Sequence, residues 1–299
     1  MHTPFVQLHF TLEHSAGKLS PEALFAIRQL FPVAFRQANG CLGVDQGCRE
    51  TSDCACRSIF EQKLTPDPAA LSRYQKPPLP FAFKMPLLPE MAIQVGEVEI
   101  SLVIIGEAIN HLDLFIKAVT RLFKPAGSFK NWRIISIEAA SGDGSLTAIP
   151  AEGIFTEFSS LPLLSFDELF NDGSIDCSGI NIEFDAPLRL LHKGAPLRDI
   201  RFSHLAGALL RRISSLAYYY GGEELPHDFK WLAGRSREIV CTSSDLHWIN
   251  YGGSLQGVAG SAQFSGELAD FMPFLHLGSL LNIGKGSAYG MGSYRFSAE

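Results

Sequence analysis

The same order of strand and helix patterns occurs twice along this chain, and that repetition limits its possible folds more than any other feature of the sequence. In the first half, residues 6–12 alternate apolar and polar side chains, as a half-buried strand does. Ser20 and Pro21 then begin a helical pattern that runs to residue 37. Two strands, a helix and a fourth strand are predicted at residues 81–85, 97–105, 110–123 and 132–138. This order, β-α-β-β-α-β, is that of the ferredoxin-like unit.

The second half repeats the order. Residues 180–184 predict a strand, and Ser203 begins a pattern typical of a helix. A hairpin, a short helix and a last strand are predicted at residues 239–248, 258–264, 271–281 and 294–296. We therefore predict an α+β fold of two tandem ferredoxin-like (βαββαβ, RRM-like) domains, at residues 1–145 and 175–299. The first domain is expected to carry a cysteine-containing insertion at about residues 40–80.

The charge of the chain is acidic overall but basic in one stretch. A net charge of −6 and a pI near 5.9 count against nucleic-acid binding, which favours basic domains. Residues 186–240, however, hold nine basic and five acidic side chains, and a ligand responds to the local patch. The candidate phosphate contacts are Arg211, Arg212, Arg235 and Arg237. The alternative is that these are ordinary solvated arginines of a helix and its loops.

The start of the sequence lacks the features of a targeting segment, because no basic stretch precedes an apolar one. No apolar run reaches the ~20 residues that a membrane span needs. We therefore expect a cytoplasmic protein that makes no membrane contact.

Four of the six cysteines cluster at Cys41, Cys48, Cys54 and Cys56. Their spacings of six, five and one intervening residues differ from the Cys-x2-Cys pairs usual at zinc sites. We expect no metal and no other cofactor, although both a degenerate zinc loop and four thiols without metal remain open.

Residues 278–296 are rich in glycine and carry Lys285 between two glycines. The P-loop motif is excluded because Gly286, and not Ser or Thr, follows Lys285. The dinucleotide fingerprint is excluded because three residues separate Gly286 from Gly290. A glycine-rich backbone can still approach a phosphate closely, and the candidate contacts here are Gly284, Lys285, Gly286, Tyr289 and Gly290. Tyr289 is expected either to stack on a base or to anchor the loop in the core.

This glycine-rich run resembles the C-terminal signature of the CRISPR-associated precursor-RNA-processing endoribonucleases, which belong to the repeat-associated mysterious protein (RAMP) superfamily. The family signature is a hydrophobic helix, a hydrophobic-Gly-Lys-Gly loop and Gly-x-Gly before an aromatic strand. The matching residues are Ile283 to Gly286, Gly290 to Gly292 and Tyr294 to Phe296. Further segments that resemble family members are residues 54–61, 97–119, 202–216 and 259–266. The similarity is strongest from Ile200 onward, and tandem ferredoxin-like domains are also the family fold.

The resemblance implies an endoribonuclease that processes the CRISPR repeat transcript without a metal. The ribose 2′-hydroxyl attacks the adjacent phosphate and leaves a 2′,3′-cyclic phosphate and a 5′-hydroxyl. This chemistry needs a general base, a general acid and a cation near the phosphorane. The implied partners are repeat RNA or mature CRISPR RNA, together with subunits of a CRISPR effector complex.

The catalytic candidates are histidines outside the first helix. Family members often place the active histidine in or near that helix, but the helix predicted over residues 21–37 contains none. We expect His14 in a loop after the first strand, with Lys18 four residues on, as one candidate pair. His204, at the start of the second-domain helix, is the next candidate, and its alternative is a capping or packing role.

Two other functions remain open. One is a non-catalytic RAMP subunit that holds guide RNA in an effector complex. This function remains open because the first predicted helix contains no histidine. The other is a pair of ferredoxin-like domains with no RNA role.

Overall fold

In the computed structural model, the chain forms two large antiparallel β-sheets, each packed against helices. The structure describes residues 3–15, 20–41, 54–73, 76–88, 96–124, 127–149, 161–172 and 177–298. Within that part of the chain, no helix is both long and apolar enough to cross a bilayer.

The first sheet is built from the N-terminal half. In chain order its elements are β1 (Pro4–His14), α1 (Pro21–Phe25), α2 (Ile27–Ala38), α3 (Ala55–Phe60), α4 (Pro68–Arg73), β2 (Phe81–Lys84), β3 (Gly96–Ile105), a 3₁₀ turn (Gly106–His111), α5 (Leu112–Leu122), β4 (Trp132–Ala140), β5 (Leu146–Ala148), β6 (Leu164–Ser165) and α6 (Phe166–Asp172). The strand order is β2-β3-β1-β4-β5, and β6 pairs with the start of β1. The first strand, β1, thus lies between β3 and β4, and β2 lies at the edge beside β3. This order is the one that a β-α-β-β-α-β unit with two crossover helices produces.

The second sheet has the same arrangement. Its elements are β7 (Gly179–Leu188), the hairpin β8 (Leu191–His192) and β9 (Ala195–Pro196), α7 (Phe202–Leu216), a π turn (Ala217–Gly221), α8 (Phe229–Arg235), β10 (Val240–Ser244), β11 (His247–Asn250), β12 (Gln256–Ser265), a 3₁₀ turn (Ala269–Phe271), α9 (Met272–Leu281) and β13 (Tyr294–Ala298). The order is β10-β12-β7-β13, with β11 also paired to β12. The predicted α+β fold class is therefore confirmed, while the proposed domain boundaries stay a prediction.

A cluster of phenylalanine rings fixes β2 against the helices of the first half. Its members come from α2, β2 and α5: Phe31, Phe35, Phe81, Phe83 and Phe115. The rings of Phe31 and Phe83 meet edge to face with centroids 5.0 Å apart, a favourable geometry for aromatic pairs. This packing matters for function because β2 is the strand that meets the glycine-rich segment of the second half.

The helix predicted over residues 21–37 differs from the structure in one respect. Ser20 caps α1 as predicted, since its Oγ accepts a hydrogen bond from the Ala23 amide at 3.2 Å. The single helix predicted to residue 37 is two helices, because at Ala26 the backbone tightens and its amide bonds to the oxygen of Ala23, three residues back.

Candidate nucleic-acid interface

The residues between α9 and β13, 282–293, form what we call the glycine loop. Its backbone lies directly against other backbone, which leaves no room for side chains at key points. A Cβ added to Gly292, whose φ is +67°, would lie 1.9 Å from the oxygen of Ile283. One added to Gly284 would lie 2.6 Å from the oxygen of Arg189. The glycines therefore serve a tight loop that packs against the end of β7.

Hydrogen bonds tie the glycine loop to both halves of the chain. The amide of Phe83, in β2, donates to the oxygen of Ala288 at 3.0 Å. The buried Asn282 donates from Nδ2 to the oxygens of Phe83 and Ser287, at 2.7 and 2.8 Å. On the other side, the amide of Lys285 donates to the oxygen of Arg189 at 2.9 Å. The position of the loop thus depends on the first sheet as well as the second.

A groove of about 540 Å³ runs beside this loop, between it, α7 and the segment that precedes β2. We call it the basic groove, and its lining residues are Lys76, Pro78, Arg189, Leu190, Leu191, Ala208, Arg211, Arg212, Ser215, Gly284, Lys285 and Ser287. Five of these described residues are basic and none is acidic. A concave surface lined by one sign of charge concentrates ligands of the opposite sign, so the groove suits a polyanion.

Arg212 is a partly buried cation of the basic groove. Its Nε donates to the oxygen of Leu281, the last residue of α9, at 2.9 Å. Its Nη2 is buried without a hydrogen-bond partner among the described residues, as is the Nε of Arg189. Burial lowers the pKa of Arg212 to about 10, and the nearby Tyr220 opposes that shift. An anion in the groove would satisfy an N–H group that is costly to leave unpaired.

The four predicted phosphate contacts divide into two places. Arg211 and Arg212 line the basic groove. Arg235 forms ion pairs with Glu238 and Glu267 and lies over the ring of Trp231, so its charge is already balanced. Arg237 is exposed and lies two residues beyond Arg235, outside the groove lining.

Two basic residues of the groove were not predicted as contacts from the sequence, namely Lys76 and Arg189. Arg189 counted only toward the charge of its stretch, and Lys76 lies within the predicted insertion at about residues 40–80. The available signal was position, because Arg189 directly follows β7 and so lies at the end of a central strand. Lys76 gave no local signal, since the fold alone brings it to α7.

The prediction of His14 in a loop is wrong. His14 is the last residue of β1, is 3% exposed and stacks on Trp132 with ring centroids 4.5 Å apart. The strand extends this far because Trp132, at the start of β4, pairs with it. His14 pairs with Gly96 of β3, whereas Phe83, which meets the glycine loop, pairs with Leu102 of the same strand. Gly96 and Leu102 are six residues apart, which is roughly 20 Å along the strand. His14 therefore lies far from the glycine loop, and Lys18 lies outside the described residues.

His204 lies near the basic groove but serves as a helix cap. Its Nδ1 accepts a hydrogen bond from the amide of Arg201 at 3.2 Å, so the neutral ring carries its proton on Nε2. Helical spacing places His204 on the same face of α7 as Ala208 and Arg211, one turn or ~6 Å before Ala208. The ring can thus present a donor near one end of the groove.

The family models divide the chain in the same way as the two sheets. Residues 182–294 match a model described as CRISPR-associated endoribonuclease Cas6, and residues 3–155 match a second model, described as an N-terminal domain. The second half of the chain therefore matches the Cas6 endoribonuclease family. A comparison with curated proteins gave no match.

Solved Cas6 structures share the fold of this chain. A partial Cas6-RT-Cas1–Cas2 complex aligns over 100% of this chain at 14% identity and a TM-score of 0.63, and the alignment covers 46% of the longer chain in that complex. A Cas6 product complex aligns over 98% of this chain and 100% of its own, at 15% identity and a TM-score of 0.61. Thermus thermophilus Cas6 aligns over 99% of this chain and 100% of its own, at 14% identity and a TM-score of 0.57.

Tyr289 occupies the core. Its ring is 8% exposed and meets Phe81 edge on, with centroids 5.5 Å apart. Burial raises the pKa of Tyr289 to about 12, and Arg28 opposes the shift. Of its two predicted roles, the structure supports the core anchor, because little of the ring is exposed for a base to stack on.

The glycines proposed as contacts differ in surroundings. Gly284 lines the basic groove beside Lys285. Gly286 is next to Met291, and Gly290 is next to Met85 and Leu87 of the first half. These two glycines therefore shape the loop rather than the groove surface.

Proposed function

We propose that this chain binds CRISPR repeat RNA in the basic groove and cleaves it as a metal-independent endoribonuclease. One observation carries the proposal: five basic side chains and no acidic one line the groove among the described residues, and Arg212 has an unpaired buried N–H there. Phosphate oxygens are the acceptors that such a set of donors favours. The acidic net charge of the chain matters less than this local arrangement.

The proposed chemistry is transesterification within the RNA. The 2′-hydroxyl attacks the adjacent phosphorus while the bond to the 5′-oxygen breaks, giving a 2′,3′-cyclic phosphate and a 5′-hydroxyl. Arg211, Arg212 and Lys285 are the cations proposed to stabilise the negative charge of the phosphorane. His204 is proposed to donate its Nε2 proton to the leaving 5′-oxygen. The proton of the 2′-hydroxyl passes to a general base; Lys18, predicted from the sequence as a catalytic residue, lies outside the described residues.

Binding is tested by a retardation assay with repeat RNA across ionic strength. Arg211→Ala should weaken binding by about tenfold and reduce the slope of log affinity against log salt by about one. Arg237→Ala is the matched control, because this arginine is also exposed but lies outside the groove lining. Affinity that is independent of salt, or equal effects of the two substitutions, would overturn the groove as the RNA site.

Cleavage is tested separately, with repeat RNA in EDTA and analysis of the product ends. We expect a cyclic phosphate at the 3′ end and a loss of rate of about 10²-fold or more in His204→Ala. His204→Asn is the control, since the amide oxygen can keep the cap to Arg201 without supplying an acid. Cleavage that is unchanged in both variants would remove His204 from the mechanism.

A second function has its own supporting observation. His14 is buried, and His204 uses Nδ1 to cap α7, so the described residues offer few groups for acid-base work at the groove. We therefore keep the proposal of a non-catalytic subunit that holds guide RNA in a cytoplasmic effector complex with other CRISPR proteins. It predicts salt-dependent binding of repeat RNA with no cleavage under any metal condition.

A further inference from the structure

Three cysteines that are separated in the sequence come together at the end of α2. Cys41 follows the helix, Cys54 precedes α3, and Cys56 lies in its first turn. Their sulfur atoms all lie within 4.8 Å of one another, and the Sγ atoms of Cys41 and Cys56 are 3.5 Å apart. Cys48 lies outside the described residues, and nothing that follows depends on it.

The separation of Cys41 and Cys56 is close to that of two ligands around a tetrahedral thiolate-bound metal, and the sulfur of Cys54 lies within 4.8 Å of both. With a zinc–sulfur bond of about 2.3 Å, two ligands on a tetrahedron are ~3.8 Å apart. A disulfide would hold the sulfur atoms at about 2.05 Å, well inside the separation of Cys41 and Cys56. The spacing therefore fits three ligands of one ion better than a bonded pair.

The side-chain amide of Asn39 lies beside all three sulfur atoms. The Nδ2 of Asn39 lies 3.5, 3.9 and 3.6 Å from the sulfur atoms of Cys41, Cys54 and Cys56. One neutral amide can orient three sulfur atoms but cannot neutralise three thiolates. A divalent cation would supply the missing positive charge, because metal ligation deprotonates a thiol outright.

We propose that Cys41, Cys54 and Cys56 bind a structural zinc ion or another thiophilic divalent cation. Thiolates favour Zn²⁺ over hard cations such as Mg²⁺. All three cysteines are partly exposed, so a water molecule has room to complete the tetrahedron. Asn39 would remain as the amide that orients the ligands.

The ion would fasten the end of α2 to the start of α3. Behind Cys56, the buried Ile59 and the ring of Phe60 pack into the core of the first half. Phe60 meets Phe35 of α2 edge to face, with centroids 5.3 Å apart. A metal at this point would thus stabilise the contact of α3 with the aromatic cluster that also fixes β2.

The test begins with the full-length wild-type chain, purified under reducing conditions without chelator. We expect close to one zinc per chain by elemental analysis, and its release by a mercurial thiol reagent. Cobalt reconstitution of the metal-free protein should give thiolate-to-cobalt charge-transfer absorption. A chain with no bound metal that takes up neither ion, or one with a disulfide between Cys41 and Cys56, would overturn the proposal.

Variants then locate the site. Cys41→Ser and Cys56→Ser should lose the metal and lower the melting temperature by roughly 5–10 °C. Cys241→Ser is the matched control, because this cysteine is exposed on β10 and should keep both metal and stability. Retention of zinc by both cluster variants would contradict the assignment. If those variants do not fold, the wild-type metal content and cobalt spectrum still decide it, independently of any RNA cleavage.

Discussion

Arg212 donates a hydrogen bond from Nε to the oxygen of Leu281 at 2.9 Å, which joins α7 to the end of α9 directly before the glycine loop. The same guanidinium lines the basic groove and has an unpaired Nη2. One side chain thereby supports the loop and offers a donor to a ligand.

Arg212→Met removes both roles and should affect RNA binding more than stability. We expect affinity for repeat RNA to fall by about tenfold and the salt slope to drop by about one. The unfolding free energy should change by less than about 2 kcal/mol, because the lost hydrogen bond is offset by removal of a partly buried charge. Urea unfolding and retardation assays measure the two effects. Arg212→Lys, which keeps the charge, should retain the salt slope; loss of the slope there as well would contradict a purely electrostatic contribution.

Asn282→Ala should destabilise the whole chain. The substitution leaves the buried oxygens of Phe83 and Ser287 without their donor and places alanine at a φ of +56°. We expect a loss of about 2–4 kcal/mol in the free energy of urea unfolding. Asn250→Ala is the control, since its Oδ1 accepts one hydrogen bond in an exposed turn, and it should cost below ~1 kcal/mol. Equal costs would mean that the link between loop and β2 contributes little.

The parts of the fold that the sequence predicted are those with strong local patterns. The alternation in β1 and the apolar spacing of α7 mark these elements regardless of their partners. The placement of His14 failed because its strand is extended by pairing with Trp132, more than a hundred residues away. Pairing between distant segments leaves no trace in a local pattern.

The site was predictable only where one segment carries it. The glycine loop and Arg211 were found from their own sequence, and both line the basic groove. Lys76 was missed because only the tertiary fold brings it beside α7. The cysteine spacing argued against a metal, yet the turn after α2 and the start of α3 bring three of the sulfur atoms together. Contacts between residues that the chain fold brings together cannot be predicted from local spacing.

Gly292→Ala should disrupt the glycine loop far more than a substitution at a similar backbone angle elsewhere. Its Cβ would lie 1.9 Å from the oxygen of Ile283, whereas Gly222, with a φ of +73°, has no atom within 4 Å. We expect Gly222→Ala to cost about 1–2 kcal/mol from backbone strain alone. Gly292→Ala should cost more than about 4 kcal/mol, because main-chain atoms must also move. Thermal unfolding of both variants measures the difference, and similar melting temperatures would contradict a close backbone contact.

Tyr289→Phe should make the protein less sensitive to alkali. Burial raises the pKa of Tyr289 from its ordinary 10 to about 12 in the folded chain, so the native state holds this proton more tightly than the unfolded state. The associated stability is fully present below pH 10 and is lost as pH rises from 10 to 12, by up to about 2.7 kcal/mol. Urea unfolding at pH 8, 10 and 11 should show a steeper decline for the wild type than for the variant, whereas the two should agree within about 1 kcal/mol at pH 8. Parallel declines would indicate that the Tyr289 hydroxyl reaches solvent. The side chain would then be accessible to a ligand, which would contradict its role as a buried core anchor.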